Sequence, residues 1–115
     1  MKIYCSNPLA QYLKYKEEID SAISNVLTSG SYILSEEVES LEEEFANYLN
    51  CRHVVGVANG TDAIELVLRA LDIGYGDEVI TVSHTAVATI SAIQATGAKP
   101  VLADIDRDSY TMDTN

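Results

Sequence analysis

The sequence predicts an α/β protein in which N-terminal helices precede a βαβαβ unit of parallel sheet. Three observations support this fold class. Apolar residues recur at helical spacing up to about residue 50, short β-branched runs begin at His53, and helical segments separate those runs. Alternation of strands and helices at these lengths is typical of parallel strands joined by right-handed crossovers. We therefore expect a helical segment over residues 1–50 and the βαβαβ unit over residues 51–115.

Two helices are expected in the N-terminal segment. Asn7 is a typical N-cap, and Pro8 suits the first helical position, where a backbone N–H has no helical acceptor. Ser29 and Gly30 mark the end of this helix. Ser35 is expected to cap the second helix, whose acidic first turn matches the positive end of the helix dipole. The apolar stripe of the second helix consists of Val38, Leu41, Phe45, Tyr48 and Leu49.

The rest of the chain alternates between strand and helix signals. β-branched residues mark the strands, and apolar residues at helical spacing mark the helices. Residues 106–115 are polar, and we predict neither a helix nor a strand there. In chain order, the predicted elements are a strand over 53–58, a helix over 63–71, a strand over 78–82, a helix over 85–96 and a strand over 101–105.

Composition and charge exclude several classes of function. The formal net charge is −11, from 18 acidic against 7 basic residues, and the basic residues are scattered, so binding to nucleic acid is not expected. The sequence contains no apolar run long enough to span a membrane and no recognisable leader, so we expect a cytoplasmic protein. Cys5 and Cys51 lack the spacing of metal ligands, and no metal site is predicted.

The residues between the first predicted strand and its helix are Asn59, Gly60, Thr61 and Asp62. Ligands of parallel α/β sheets bind where strands lead into helices. A helix start presents unpaired N–H groups, Gly60 permits close approach of the backbone, and Thr61 adds a hydroxyl, so one interpretation is a phosphate cradle. The other interpretation is that Asn59 or Thr61 merely caps the helix. The stretch matches neither the dinucleotide fingerprint nor the P-loop.

A second joint, from Ser83 to Ala86, follows the next predicted strand. Because the carboxyl ends of parallel strands meet at one edge of a sheet, we expect this joint to open on the same edge as the first. His84 has a side chain suited to stacking on, or hydrogen bonding to, a planar ligand. A plain loop histidine is the alternative, since no second ligand residue stands at a matching spacing.

Three motifs resemble the DegT/StrS-type sugar aminotransferases, which use pyridoxal 5'-phosphate to aminate keto-sugars attached to nucleotides. They are NGTDA at the first joint, GYGDEVI at the turn into the second strand, and KPVLADID at the third strand, and they occur in the family's order and spacing. The resemblance covers nearly the whole chain. It implies that residues 51–115 are part of the large domain of a fold-type I aminotransferase.

The resemblance also implies roles for particular residues. Gly60, Thr61 and Asp62 match the positions that contact the cofactor phosphate. An aromatic residue usually follows the threonine of the second joint and stacks on the pyridine ring, but here that position is Ala86, which leaves the neighbouring His84 as the candidate for the ring contact. Tyr32 matches a region near the active site and the dimer interface.

Family members are several times longer than this chain, and their catalytic lysine and the acid that pairs with the pyridine nitrogen lie downstream of these motifs. No lysine here matches that position, so we assign no catalytic residue and expect the isolated chain to be inactive. The resemblance implies a homodimer that uses a nucleotide-linked keto-sugar and an amino donor, glutamate, in the biosynthesis of cell-surface polysaccharide or a secondary metabolite. The alternatives are a non-catalytic βαβαβ binding or scaffold module and a Rossmann-type nucleotide-binding unit.

Overall fold

The computed structural model describes residues 5–114, which form two compact units divided between Gly56 and Val57. The unit that ends at Gly56 is helical, and the unit that begins at Val57 contains the sheet. None of the helices in the described part of the chain is both long and apolar enough to cross a membrane.

The helical unit contains three helices, α1 (Pro8–Lys14), α2 (Lys16–Ser29) and α3 (Glu36–Leu49). The predicted cap at Asn7 is confirmed, since its side-chain oxygen accepts from the N–H of Ala10 at 3.2 Å. Our prediction of a single helix up to Ser29 is wrong, because the backbone of Tyr15 leaves helical values (ψ 24°) and ends α1.

A side-chain cluster links the two helices across the break at Tyr15. The hydroxyl of Tyr12 donates to Asp20 at 3.0 Å, and the ammonium of Lys16 forms an ion pair with the same carboxylate. These bonds lower the pKa of Asp20, with the Lys16 bond as the main cause. Because no glycine or proline stands near Tyr15, the usual sequence signal for a helix end is absent there.

The predicted helix boundaries on either side of the α2–α3 loop are confirmed, although Ser35 does not cap α3 through its side chain as expected. Gly30 ends α2 in the left-handed conformation (φ 71°), which glycine adopts without steric cost. Ser35 occupies the N-cap position of α3, but its hydroxyl makes no capping bond. Its carbonyl oxygen instead accepts from the N–H groups of Val38 and Glu39, at 2.9 and 3.2 Å.

The second unit consists of α4 (Gly60–Ala70), β1 (Glu78–Val82), α5 (Val87–Ala95) and β2 (Lys99–Ala103). The two strands are parallel, with registers from Glu78 opposite Lys99 to Val82 opposite Ala103, and α5 is the crossover between them. This arrangement confirms the predicted parallel strand–helix–strand unit. The second strand begins at Lys99 rather than at residue 101, and the crossover helix begins at Val87 because Ala86 is extended (ψ 138°).

The predicted first strand, over residues 53–58, is not a strand in the structure, whose described residues form a two-stranded sheet. A β-branched run becomes a strand only when a neighbouring strand accepts its backbone hydrogen bonds. Here a side chain satisfies part of this backbone, since the N–H of Gly56 donates to the carboxylate of Glu42 at 2.7 Å. The βαβαβ prediction therefore holds for its last two strands and both of its helices.

The core of the second unit lies between its two helices and its sheet. Leu68, Ile93 and Ala98 are buried, at 8%, 1% and 4% exposure. The side chains of Ile64, Ile73 and Val79 pack against this cluster. The last turns of α4 and α5 are also linked, because a guanidinium N–H of Arg69 donates to the carbonyl oxygen of Ala95 at 2.7 Å.

The segment after β2, which we predicted to lack regular structure, forms a closed loop. Ile105 and Met112 form an isolated antiparallel bridge. Within the loop that this bridge closes, the N–H of Asp106 donates to the carbonyl oxygen of Thr111 at 2.9 Å. The N–H of Tyr110 donates to the carbonyl oxygen of Asp106 at 3.0 Å. The polar composition of this segment did not indicate the bridge.

Candidate functional site

The first turn of α4 is capped by the side chain of Asn59, which also bonds the carboxylate of Asp62. Asn59 is extended (φ −165°), and its side-chain oxygen accepts from the N–H of Asp62 at 3.0 Å. In return, the amide Nδ2 of Asn59 donates to the carboxylate of Asp62 at 3.1 Å. Of the two capping residues that the sequence left open, Asn59 is therefore the one that caps this helix, and Thr61 is not.

This cap leaves the donors of two residues for a ligand. The backbone N–H groups of Gly60 and Thr61, and the hydroxyl of Thr61, have no acceptor among residues 5–114. The N–H of Asp62 is taken by Asn59, so the direct contribution expected from Asp62 is limited. Unpaired N–H groups at the positive end of a helix bind anions. The residues present therefore suit a phosphate group.

Open space lies in front of Gly60. A Cβ placed there would meet no heavy atom within 4 Å. The φ angle of Gly60 is not positive, unlike those of Gly30, Gly76 and Gly97. Neither packing nor backbone strain in the described residues therefore requires glycine at position 60.

The second joint joins β1 to α5. Ala86 is the N-cap residue of α5, and its methyl group makes no capping bond. His84 is exposed, and its ring lies 6.2 Å from the ring of Tyr110, centroid to centroid, at an interplanar angle of 48°. Sequence reasoning missed Tyr110, although a single aromatic residue in an otherwise polar segment was a signal that could have been used.

The two joints open on the same side of the second unit. The helix α5 leaves the carboxyl end of β1, so its first turn lies at that edge of the sheet. The helices α4 and α5 pack against each other, and the bond from Arg69 to Ala95 holds their last turns together. Their first turns, which contain Gly60 and Thr61 in α4 and follow His84 and Ala86 in α5, therefore face the side on which ligands of parallel sheets bind.

Tyr32 lies in the helical unit, in the loop between α2 and α3. Its hydroxyl donates to the carbonyl oxygen of Leu27 at 2.9 Å. Its side chain is 61% exposed. Because the hydroxyl is engaged locally, the ring face is the part of Tyr32 that remains for contact with another molecule.

The lysines in the described part of the chain are exposed, and two of them form ion pairs. Lys16 pairs with Asp20, and Lys99 pairs with Glu78 at 2.7 Å, and these bonds raise the pKa of both lysines. The ammonium of Lys14 lies 5.0 Å from the centre of the Tyr15 ring. A nucleophilic lysine needs the opposite environment, in which desolvation lowers its pKa.

The sequence matches the model of a known protein family. The model of the DegT/DnrJ/EryC1/StrS aminotransferase family matches residues 13–115. The chain belongs to this family. The resemblance inferred from the NGTDA, GYGDEVI and KPVLADID motifs is thus confirmed.

Several curated relatives of the chain are nucleotide-sugar aminotransferases. The dTDP-3-amino-3,6-dideoxy-alpha-D-galactopyranose transaminase of Aneurinibacillus thermoaerophilus is 50% identical over 101 residues, which are 88% of this chain and 28% of that protein. The UDP-2-acetamido-2-deoxy-3-oxo-D-glucuronate aminotransferase of Pseudomonas aeruginosa is 45% identical over 103 residues, which are 90% of this chain and 29% of that protein. The chain therefore spans less than a third of the length of these relatives.

Solved structures confirm the fold and identify the cofactor of the family. S. venezuelae DesV, in complex with a ketimine intermediate, superposes with a TM-score of 0.90 and 48% identity over 93% of this chain and 29% of its own. NtdA from Bacillus subtilis with bound cofactor PMP superposes with a TM-score of 0.83 and 33% identity over 87% of this chain and 23% of its own. The fold is that of the large domain of fold-type I aminotransferases, a family that depends on pyridoxal phosphate.

Proposed function

We propose that the chain is the N-terminal portion of an aminotransferase that aminates a keto-sugar attached to a nucleotide, in the biosynthesis of cell-surface polysaccharide or a secondary metabolite. Family membership and the dTDP- and UDP-sugar relatives support the reaction class. The single observation in the structure that supports it most is the start of α4, where the N–H groups of Gly60 and Thr61 have no acceptor in the described residues.

The proposal assigns the phosphate of pyridoxal 5'-phosphate to the start of α4, within the cofactor-binding segment over residues 51–115. Gly60 and Thr61 donate their N–H groups to the phosphate oxygens, and the Thr61 hydroxyl adds a third donor. Asp62 and Asn59 hold the turn in the conformation that presents those donors. When bound, the cofactor supplies an electron sink for amino transfer.

The second joint contributes the contact to the cofactor ring in this proposal. His84 is exposed at the carboxyl end of β1, so its imidazole is accessible to a planar ligand. Ala86 stands at the position where the family resemblance implies an aromatic residue. His84 orients the ring, while the start of α4 holds the phosphate.

Catalysis is assigned to residues beyond those in this chain. Lys14, Lys16 and Lys99 are exposed, and Lys2 lies outside the described residues. Lys16 and Lys99 are also held in ion pairs. We therefore expect no turnover from the isolated chain. The proposed complete enzyme is a cytoplasmic homodimer with glutamate as amino donor, with Tyr32 at the substrate site or dimer interface, and it binds neither nucleic acid nor membrane.

Ligand binding by the isolated chain tests the proposal. Pyridoxamine 5'-phosphate is a suitable probe because, having no aldehyde, it cannot form imines with the exposed lysines. Equilibrium dialysis should detect binding of this probe, much weaker binding of pyridoxamine, which lacks the phosphate, and none of NAD. Preferential binding of NAD would favour the nucleotide-binding alternative. Equal affinity for pyridoxamine and its phosphate ester would contradict the assignment of the phosphate to α4.

The expected inactivity is tested by an assay with a keto-sugar nucleotide, glutamate and pyridoxal 5'-phosphate. The isolated chain should give the rate of the free cofactor, since none of its described lysines is desolvated. A rate clearly above that background would overturn the assignment of the catalytic residues to the rest of the enzyme.

A further inference from the structure

We propose that Tyr110 is a positioning residue that holds the His84 ring in the orientation in which it meets the cofactor ring. This inference rests on the proposed function, because it needs His84 to contact the cofactor. It adds a residue from the loop after β2 to a site otherwise built from the starts of α4 and α5. The inference rests on the contact between the His84 and Tyr110 rings and on the hydrogen bonds that hold the loop containing Tyr110.

The geometry of the His84–Tyr110 pair is that of an attractive aromatic contact. The centroids lie 6.2 Å apart at an interplanar angle of 48°. Tilted pairs with centroids 4.5–7 Å apart are favoured because ring edges and faces carry opposite partial charges. Tyr110 is 68% exposed, so the contact is not a by-product of core packing. The exposed part of the His84 ring remains available to a ligand.

The loop that presents Tyr110 is held by its own hydrogen bonds. The carboxylate of Asp106 accepts from the N–H of Asp108 at 3.1 Å, and from both the N–H and the hydroxyl of Ser109 at 2.8 Å. The N–H of Tyr110 donates to the carbonyl oxygen of Asp106 at 3.0 Å. Tyr110 itself is in the left-handed conformation (φ 57°), which is uncommon for a residue with a Cβ.

Positioning matters here because no hydrogen bond or ion pair in the described part of the chain fixes the His84 side chain. Its imidazole ring lies against the ring of Tyr110. Immobilising a mobile side chain on binding costs conformational entropy and so lowers the affinity for the ligand. A side chain that is already held in its bound orientation avoids this cost. Because Ala86 has only a methyl group, the proposed contact with the cofactor ring at this joint depends on the orientation of His84.

The contact itself is tested by NMR on the ring protons of His84 in wild type, Tyr110→Phe and Tyr110→Leu at one fixed pH. Phenylalanine keeps the ring, whereas leucine removes it, and both keep a Cβ, so both meet the same backbone cost at position 110. Wild type and Tyr110→Phe should share ring-current shifts that Tyr110→Leu loses. His84 shifts unchanged in Tyr110→Leu would overturn the inference.

The effect of the His84–Tyr110 contact on binding is tested with two probes, pyridoxamine 5'-phosphate and inorganic phosphate. Tyr110→Leu should weaken the binding of pyridoxamine 5'-phosphate about two- to tenfold, the range of one aromatic contact. It should leave the binding of inorganic phosphate unchanged. Tyr110→Phe should bind both as wild type does. Equal weakening of both probes in Tyr110→Leu would overturn the inference, because the effect would then act on the fold or on the phosphate site.

The two proposals fail in different ways. If neither probe shifts the amides of Gly60 and Thr61 in the wild-type chain, the cofactor proposal is contradicted, and the role of Tyr110 with it. If the wild type binds and Tyr110→Leu binds equally well, the role of Tyr110 alone is contradicted.

Discussion

At the start of α4, Asn59 and Asp62 are bonded in both directions. The side-chain oxygen of Asn59 accepts from the backbone N–H of Asp62, and the carboxylate of Asp62 accepts from the side-chain amide of Asn59. This pairing resembles a capping box, in which the N-cap and the third helical residue satisfy each other. Its effect is selective. It uses the N–H of Asp62 and leaves those of Gly60 and Thr61 without an acceptor in the described chain, so it determines which donors are left for the proposed phosphate.

Replacing Asn59 tests the cap. Asn59→Ala should lower the free energy of unfolding by about 1 kcal/mol, because the N–H of Asp62 loses its acceptor. Asn59→Ser is the matched control, since a serine oxygen caps comparably and should preserve most of the stability. Urea unfolding followed by circular dichroism measures the difference. Equal stability of the alanine and serine variants would show that the cap does not stabilise α4.

Replacing Gly60 separates binding from folding. Gly60→Val should fold as well as wild type, since a Cβ there would meet no heavy atom within 4 Å, yet its side chain should block an anion from the helix start. Gly74→Ala is the control with the reverse expectation, because its Cβ would lie 3.1 Å from the carbonyl oxygen of Thr96 and should lower stability. Thermal unfolding and phosphate titration of both variants distinguish the two effects. A destabilised Gly60→Val chain would mean that position 60 serves the fold.

Replacing Thr61 measures the hydroxyl donor. Thr61→Ala should weaken binding of pyridoxamine 5'-phosphate by about 1.5–3 kcal/mol, the range for a hydrogen bond to a charged group. Thr61→Ser keeps the hydroxyl and should retain most of the affinity. Isothermal titration calorimetry gives the comparison, and an alanine variant that binds as tightly as the serine variant would leave the hydroxyl without a role.

The loop at Asp106 should open in acid. Hydrogen bonds to its carboxylate, above all from the N–H of Ser109, lower its pKa below the ordinary value of 3.8. A carboxyl whose pKa is lower in the folded chain stabilises the fold above the unfolded pKa, and this contribution disappears as the pH falls through the folded pKa. The amide chemical shifts of Asp108 and Ser109 should therefore stay constant near neutral pH and change below pH 3.8.

The control for the Asp106 titration is Asp106→Asn, which keeps an acceptor oxygen but does not titrate. Its Asp108 and Ser109 amides should show no transition in that acid range. If the asparagine variant shows the same transition as wild type, or if wild type shows none, Asp106 does not control the loop.

Truncating Ile93 tests the core that supports both joints. At 1% exposure this side chain fills the space between α5, α4 and the sheet. Ile93→Ala should lower the free energy of unfolding by about 2–5 kcal/mol, and Ile93→Val by about 0.5–1.5 kcal/mol, since the loss grows with the cavity created. Chemical unfolding of both variants checks the order. Similar losses in the two variants would indicate that the core collapses around the missing atoms.

Local signals predicted the elements that depend on local physics. The caps at Asn7 and Gly30, and the parallel pairing on both sides of α5, follow from side-chain chemistry and hydrophobic spacing that can be seen in the sequence. The expected strand over residues 53–58 failed because β propensity indicates a side chain's suitability for a sheet but not the presence of a neighbouring strand. The break at Tyr15 has no glycine or proline to announce it.

The candidate site was predicted in part for the same reason. The helix start at Gly60 and Thr61 is a local motif, so its donors could be inferred from the sequence. The contact between His84 and Tyr110 could not, because it depends on the loop that Asp106 closes after β2, and residues distant in sequence meet only once that loop has formed. The choice of Asn59 over Thr61 as the cap likewise needed the side-chain geometry.

The most direct test of the account is an amide NMR titration of the isolated chain with pyridoxamine 5'-phosphate, repeated on Gly60→Val. We expect the largest shifts at Gly60 and Thr61, smaller shifts at His84, and the loss of all three in the variant while its fold is retained. Largest shifts elsewhere in the chain, or unchanged binding by a folded Gly60→Val variant, would contradict the assignment of the cofactor phosphate to the start of α4.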